Sequence, residues 1–172
     1  GDGLVTQIPA FIVALSSAKE AGIHVPSRVI ERAVRYVKHL QAKPGGGFGY
    51  TSPGDPGFPR SAAGVMSLLM SGERDSKEVQ MGLEYLRRFP ASKFTTGEYY
   101  FYAHYYAVQA MYQAGEVQYQ EWYPKIRDAM LARQRKDGSW SGGGEEGDPT
   151  YATAMAILTL GVPYRYLPIY QR

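Results

Sequence analysis

Apolar positions along this 172-residue chain recur at the spacing of helices, and no stretch reads as a strand. Val29, Ala33, Tyr36 and Leu40 form a stripe with Ile30, Val34 and Val37 beside them. Arg28, Glu31, Arg32, Arg35 and Lys38 take the opposite face, which predicts an amphipathic helix with Pro26 in its first turn. A second is expected from Asp75, whose side chain can cap it while Glu78 returns the reciprocal bond, with Val79, Leu83 and Leu86 along one side. A third is expected to start near Pro124, to carry Ile126, Ala129, Met130 and Arg133, and to end at about Gln134.

Between these lie four stretches of helical length that are poor in charge all the way round, and they stop at Gly22, Gly72, Gly115 and Gly161. A glycine there can take the left-handed conformation that ends a helix. The four are 50, 43 and 46 residues apart, a period that points to repeated helical hairpins. Counted back from each glycine, small residues fall in register: Ala14, Gly64, Ala107 and Thr153; then Ser17, Ser67, Ala110 and Ala156; then Ala21, Ser71, Ala114 and Leu160. Spacings of three and four place them on one helix face, where a neighbour can approach closely. A helix apolar around its circumference should be buried on both sides. The expected fold is therefore all-α: a single domain over residues 1–172, built of about three and a half antiparallel hairpins in two layers.

A second regularity sits at the ends of the first and third amphipathic helices. Gln41 follows Gly22 by 19 residues, and Gln134 follows Gly115 by 19. Each leads through a glycine-rich loop to an aromatic residue, Gln41 to Phe48 and Gln134 through Gly138 to Trp140. Gln134-Arg-Lys-Asp-Gly-Ser-Trp140 resembles the QW motif of the prenyltransferase and squalene oxidase repeat family, which includes terpenoid cyclases and protein prenyltransferase β subunits. The Gln41 copy is looser, with one extra residue and Phe48 in place of tryptophan. Residues 99–111 and 164–171 are similar to segments of bacterial repeat proteins of this kind. The resemblance implies an α/α toroid in which the glutamine and aromatic brace the end of one outer helix against its neighbour. A tryptophan can pack over an amide while the glutamine serves backbone groups orphaned at a helix end. A closed ring of that family has about six hairpins, so this chain implies an arc, with the rest of the ring upstream or a second copy on its open edge.

Composition narrows the chemistry. Nineteen Lys and Arg against 16 Asp and Glu give a net charge of +3, dispersed along the chain, which is no footprint for nucleic acid. The absence of cysteine excludes disulfides, thiolate nucleophiles and Cys-ligated zinc. No uncharged stretch reaches the roughly 20 apolar residues of a membrane span. Residues 8–18 have the length of a signal-peptide core but lack a preceding basic residue, and the start at Gly1 leaves any targeting segment open.

Squalene-type cyclases protonate their substrate from an Asp-x-Asp-Asp run before a Thr-Ala pair. Thr153-Ala154 stands in a similar place, but Pro149, Tyr151 and Ala152 occupy the acidic positions, Asp148 precedes them by one residue, and Glu145 and Glu146 lie further out in a loop expected to be flexible. An acid strong enough to protonate an alkene needs a buried, cooperating environment. Prenyl transfer would need zinc ligands that His24, His39 and His104 do not space correctly. No catalytic residue, metal site or cofactor is therefore expected from this chain. A calcium site from Asp55, or from Glu145, Glu146 and Asp148, lacks an ordered ligand series.

The tyrosines, 15 in all, carry the functional lead. Tyr102, Tyr105, Gln109 and Tyr112 share one side of the third uncharged helix, and Tyr151 and Met155 the equivalent side of the fourth. They form either a ligand wall, able to take an isoprenoid chain or stack on sugars, or packing between layers with hydroxyls reaching water. Three functions stay open: a non-catalytic or degenerate repeat domain binding a ligand or partner on this aromatic face, an enzyme of the terpenoid-cyclase class whose catalytic residues lie outside the chain, and a carbohydrate-active toroid.

Overall fold

The computed structural model describes residues 4–89 and 99–164. They form seven α-helices: α1 (Leu4–Glu20), α2 (Ser27–His39), α3 (Phe58–Met70), α4 (Lys77–Arg87), α5 (Tyr100–Ala114), α6 (Glu116–Leu131) and α7 (Pro149–Gly161). Single 3-10 turns cover Gly144–Glu146 and Val162–Tyr164. Among the described residues there is no strand, and one isolated antiparallel bridge joins Gln41 to Phe48. The chain divides into two compact units, Gly1–Arg88 and Phe89–Arg172.

In the first unit α3 is the packed centre, against both α1 and α4, with α2 beside α1 and α3. Every residue from Ser61 to Leu68 is buried. Small side chains let the neighbours close in, and the buried hydroxyls bond within the helix, Ser67 Oγ donating to the Ala63 carbonyl at 2.8 Å. The start of α4 differs from expectation. Ser76, not Asp75, is its cap, the hydroxyl accepting from Val79 N–H at 3.3 Å. Either residue suits the position, and the helix that Ser76 opens buries Val79, Gly82, Leu83 and Leu86. Lys38 at the end of α2 reaches Glu73 (2.7 Å) and Glu78 (3.7 Å), tying α2 to the entry of α4.

In the second unit α5 packs on both α6 and α7. Helix α6 starts at Glu116, directly after Gly115, so Pro124 falls in its interior rather than at its start. An interior proline forfeits a backbone hydrogen bond and costs about 3 kcal/mol. Trp122, Ile126 and Met130, buried at intervals of four, span the proline and hold the helix through it.

The terminating glycines also divide. Gly22 (φ +80°) and Gly72 (φ +84°) are left-handed, as a helix stop requires. Gly115 sits at φ +146°, ψ 171°, an extended hinge that turns α5 straight into α6. Gly161 is still helical, and the chain continues into the 3-10 turn at Val162.

The two Gln-to-aromatic loops fold alike. In each, the glutamine Nε2 donates to the carbonyl of a left-handed glycine two residues before the aromatic: Gln41 to Gly46 at 3.0 Å (φ +82°), Gln134 to Gly138 at 2.9 Å (φ +86°). The residue after the glutamine donates its backbone N–H to the residue before the aromatic, Ala42 to Gly47 and Arg135 to Ser139, both at 2.8 Å. The aromatic side chains are buried. Their own N–H groups then reach a hydroxyl 13 residues further on, Phe48 to Ser61 on α3 (2.8 Å) and Trp140 to Thr153 on α7 (3.0 Å). This shared bond equates Ser61 with Thr153, and so Gly64 with Ala156. The register differs by three residues from the one counted back from Gly72 and Gly161, matching the three residues of 3-10 turn, Val162–Tyr164, that follow the glycine of α7.

Candidate functional site: the tyrosine cluster of the second unit

The N-terminal turn of α5 is built in an unusual way. Its first cap residue, Tyr99, is left-handed (φ 67°) and its side chain does not cap the helix. The carboxylate of Glu146, 2% exposed, does this instead, accepting from Phe101 N–H (3.0 Å) and Tyr102 N–H (2.8 Å). Glu145 beside it accepts from the Tyr99 hydroxyl at 3.0 Å. Two donors left over by the helix start are thus met by an anion at the positive end of the helix dipole. The 141–148 loop, expected to be flexible, is pinned to α5 through these two carboxylates. Asp148 is also engaged, capping α7 by accepting from Thr150 N–H at 2.8 Å.

Held by that turn, the tyrosines assemble in two groups. Tyr102 and Tyr105, both half-buried, each meet the ring of Tyr106 edge-on, with centroids 4.8 and 5.0 Å apart. Tyr151, 38% exposed at the first turn of α7, is the fourth member. Burial drives the Tyr102 hydroxyl far above its ordinary range, with the neighbouring phenols of Tyr106 and Tyr151 adding to it. Tyr106 is pushed up to about 12 by burial and by the phenols of Tyr105 and Tyr151. Burial raises Tyr151 as well, so Tyr102, Tyr106 and Tyr151 stay neutral hydroxyls, able to donate and accept.

Tyr112 belongs elsewhere. It is buried against Tyr119 of α6 (5.3 Å, edge-on), and Tyr119 stacks on Tyr123, whose hydroxyl donates to the Leu160 carbonyl at 2.9 Å. Gln109 is buried as well, and Met155 is half-buried. The expected wall of Tyr102, Tyr105, Gln109, Tyr112, Tyr151 and Met155 is therefore divided: the first two join Tyr151, while Gln109 and Tyr112 lie in packed interior. Tyr106, which the spacing argument left out, takes a central place.

His104, on the far side of α5, is fully buried. Its ring meets Tyr100 at 4.7 Å, and the Arg133 guanidinium lies over the same tyrosine at 4.4 Å. Burial, helped by the Arg133 charge, lowers the imidazole to about 3, so it is neutral at physiological pH. His24 and His39 are exposed. Among the described residues no group of three or more His, Asp or Glu could hold a metal ion.

In both loops the glutamine amide bonds to backbone carbonyls. Gln41 is buried, and its Nε2 also donates to the Glu78 carbonyl on α4 at 2.8 Å. Phe48 lies between two glycines: a Cβ at Gly64 would stand 2.8 Å from its ring, and one at Gly82 3.2 Å. Gln134 is exposed and closes only its own turn. There it is Trp140 Nε1 that serves a helix end, donating to the Met130 carbonyl at 2.8 Å. A hollow of about 250 Å³ beside the first loop is lined by Gln41, Lys43, Pro44, Lys77, Glu78 and Met81. Among the described residues no helix is long and apolar enough to cross a membrane.

The chain matches no protein-family model, no curated protein and no solved structure.

Proposed function

We propose that this chain is a non-catalytic helical-repeat module, its hairpins of the α/α-toroid type, that binds a small ligand on the cluster of Tyr102, Tyr105, Tyr106 and Tyr151. The observation that carries the reading is the convergence of four phenols from two helices, half-buried Tyr102 and Tyr105 and exposed Tyr151 around the buried ring of Tyr106, on a helix start bonded to Glu146. Rings supply apolar contact area at small entropic cost, and hydroxyls fix the orientation of what they touch. A carbohydrate offers both an apolar ring face and hydroxyl partners, and an isoprenoid alcohol mainly the former. The carbohydrate is therefore the favoured class. The carboxylates nearest the cluster are committed to helix caps, which supports a binding role over acid catalysis. The duplicated Gln–Gly–aromatic turn supports the toroid-type hairpin.

Calorimetric titration of the full chain against neutral oligosaccharides, and separately against farnesol, tests this. Saturable binding of an oligosaccharide, weakened at least tenfold by Tyr105→Ala and Tyr151→Ala, is the expected result. Farnesol binding with the same sensitivity would move the ligand to the isoprenoid class. Binding of neither, or affinities untouched by both substitutions, would refute the site.

A further inference from the structure

The hydroxyl-to-aromatic register makes the two units comparable residue by residue, and one element of the first has no counterpart among the described residues of the second. Within each unit the same packing occurs: α3 lies on α1 as α7 lies on α5. The first unit adds α4 against α3. Taking Ser61 as Thr153, the positions Ala62, Val65 and Met66 of α3 correspond to Ala154, Ile157 and Leu158 of α7. The three on α3 are fully buried, and Val65 packs on the bare backbone of Gly82 in α4. Their counterparts on α7 are exposed, Ile157 by 59% and Leu158 by 37%. Ala152, Ala156 and Thr159 turn the other side of α7 inward, so the open positions form one stripe.

We infer that this stripe of α7 is a docking surface for an amphipathic helix of the α4 kind. Its chemistry follows from what covers α3. The partner helix presents apolar–x–x–small–apolar–x–x–apolar, as Val79, Gly82, Leu83 and Leu86 do, with the small residue over Ile157 so that the two backbones approach closely. A β-branched isoleucine stands where α3 has a β-branched valine, and such side chains fit a glycine notch in one rotamer. Ala154 and Leu158 follow Tyr151 along one face of α7, but the helix docked on the stripe and the ligand bound by the tyrosines are separate proposals, read by separate assays.

The test appends a second copy of residues 74–90 to the full chain through a flexible Gly/Ser tether of about 20 residues, which spans roughly 25 Å on average and holds the helix at high local concentration. Hydrogen exchange is then read at the α7 amides. The expected result is at least tenfold slower exchange across residues 153–161, abolished by Gly82→Trp in the appended copy and by Ile157→Asp in the chain. The first of these leaves the chain's own fold untouched, so loss of protection there cannot be a folding failure. Unchanged exchange, or protection that survives Gly82→Trp, would overturn the proposal. So would light scattering that shows the untethered chain as a dimer dispersed by Ile157→Asp, because the stripe would then belong to a second copy.

Discussion

Replacing Glu146 by alanine tests the most consequential contact in the second unit. The carboxylate is 2% exposed and accepts from Phe101 N–H and Tyr102 N–H at 3.0 and 2.8 Å. Alanine removes both acceptors. A buried donor left without a partner costs about 1–3 kcal/mol, and loss of a helix cap typically about 1. The Tyr102 amide is half-buried and recovers part of its loss by reaching water, and the desolvation of a buried charge is relieved. The net expectation is a loss of about 2–4 kcal/mol, or roughly 5–15 °C in melting temperature for a chain of this size. Glu146→Gln keeps one acceptor oxygen and sets an amide N–H₂ against a donor, so it should fall between alanine and the native residue. Glu145→Ala removes one exposed contact to the Tyr99 hydroxyl and should stay within about 0.5 kcal/mol. Urea unfolding followed by circular dichroism measures all three. If Glu146→Ala costs no more than Glu145→Ala, the capping account is wrong, along with the claim that the cluster rests on a locked helix start.

Two further outcomes follow from the shared turn and from the buried imidazole. Ser61→Ala and Thr153→Ala each strip the acceptor from the backbone N–H of an aromatic residue, Phe48 or Trp140, and each should cost about 1–2 kcal/mol in the same urea assay. Thr153→Ser should recover most of that cost, and a large inequality between the two alanine variants would break the equivalence of the loops. His104 has a folded pKa of about 3 against 6.5 when unfolded, so the unfolded chain takes up a proton that the folded one refuses. Stability should therefore be undiminished above pH 6.5 and fall as pH drops toward 3, by at most about 1.4 kcal/mol per pH unit. His104→Gln should flatten the urea midpoint between pH 7.5 and 5, and an unaltered slope would show that the histidine takes up its proton without unfolding.

What the sequence alone determined is local. Charge and apolar spacing within a few residues place the helices α2 and α4, and the two Gln-to-aromatic loops are visible as strings because the glycine, the glutamine and the ring lie within eight residues of one another. Tertiary structure decided which of several competent residues is used. Ser76 caps α4 in place of Asp75, Trp122, Ile126 and Met130 carry α6 through Pro124 against a penalty of about 3 kcal/mol, and the chain passes from α7 at Gly161 into a 3-10 turn instead of stopping there. The tyrosines show the same limit. A spacing of three and four puts Tyr105 and Tyr112 on one helix face, but only the position of α6 commits Tyr112 to Tyr119 and leaves Tyr105 with Tyr106. Glu146 is the clearest case. It bonds to amides 44 and 45 residues before it, and no periodicity within a segment encodes a contact made across that distance. A carboxylate beside glycines reads as a solvated loop until the fold brings a helix terminus to it, and then the dipole and two waiting N–H groups make it structural.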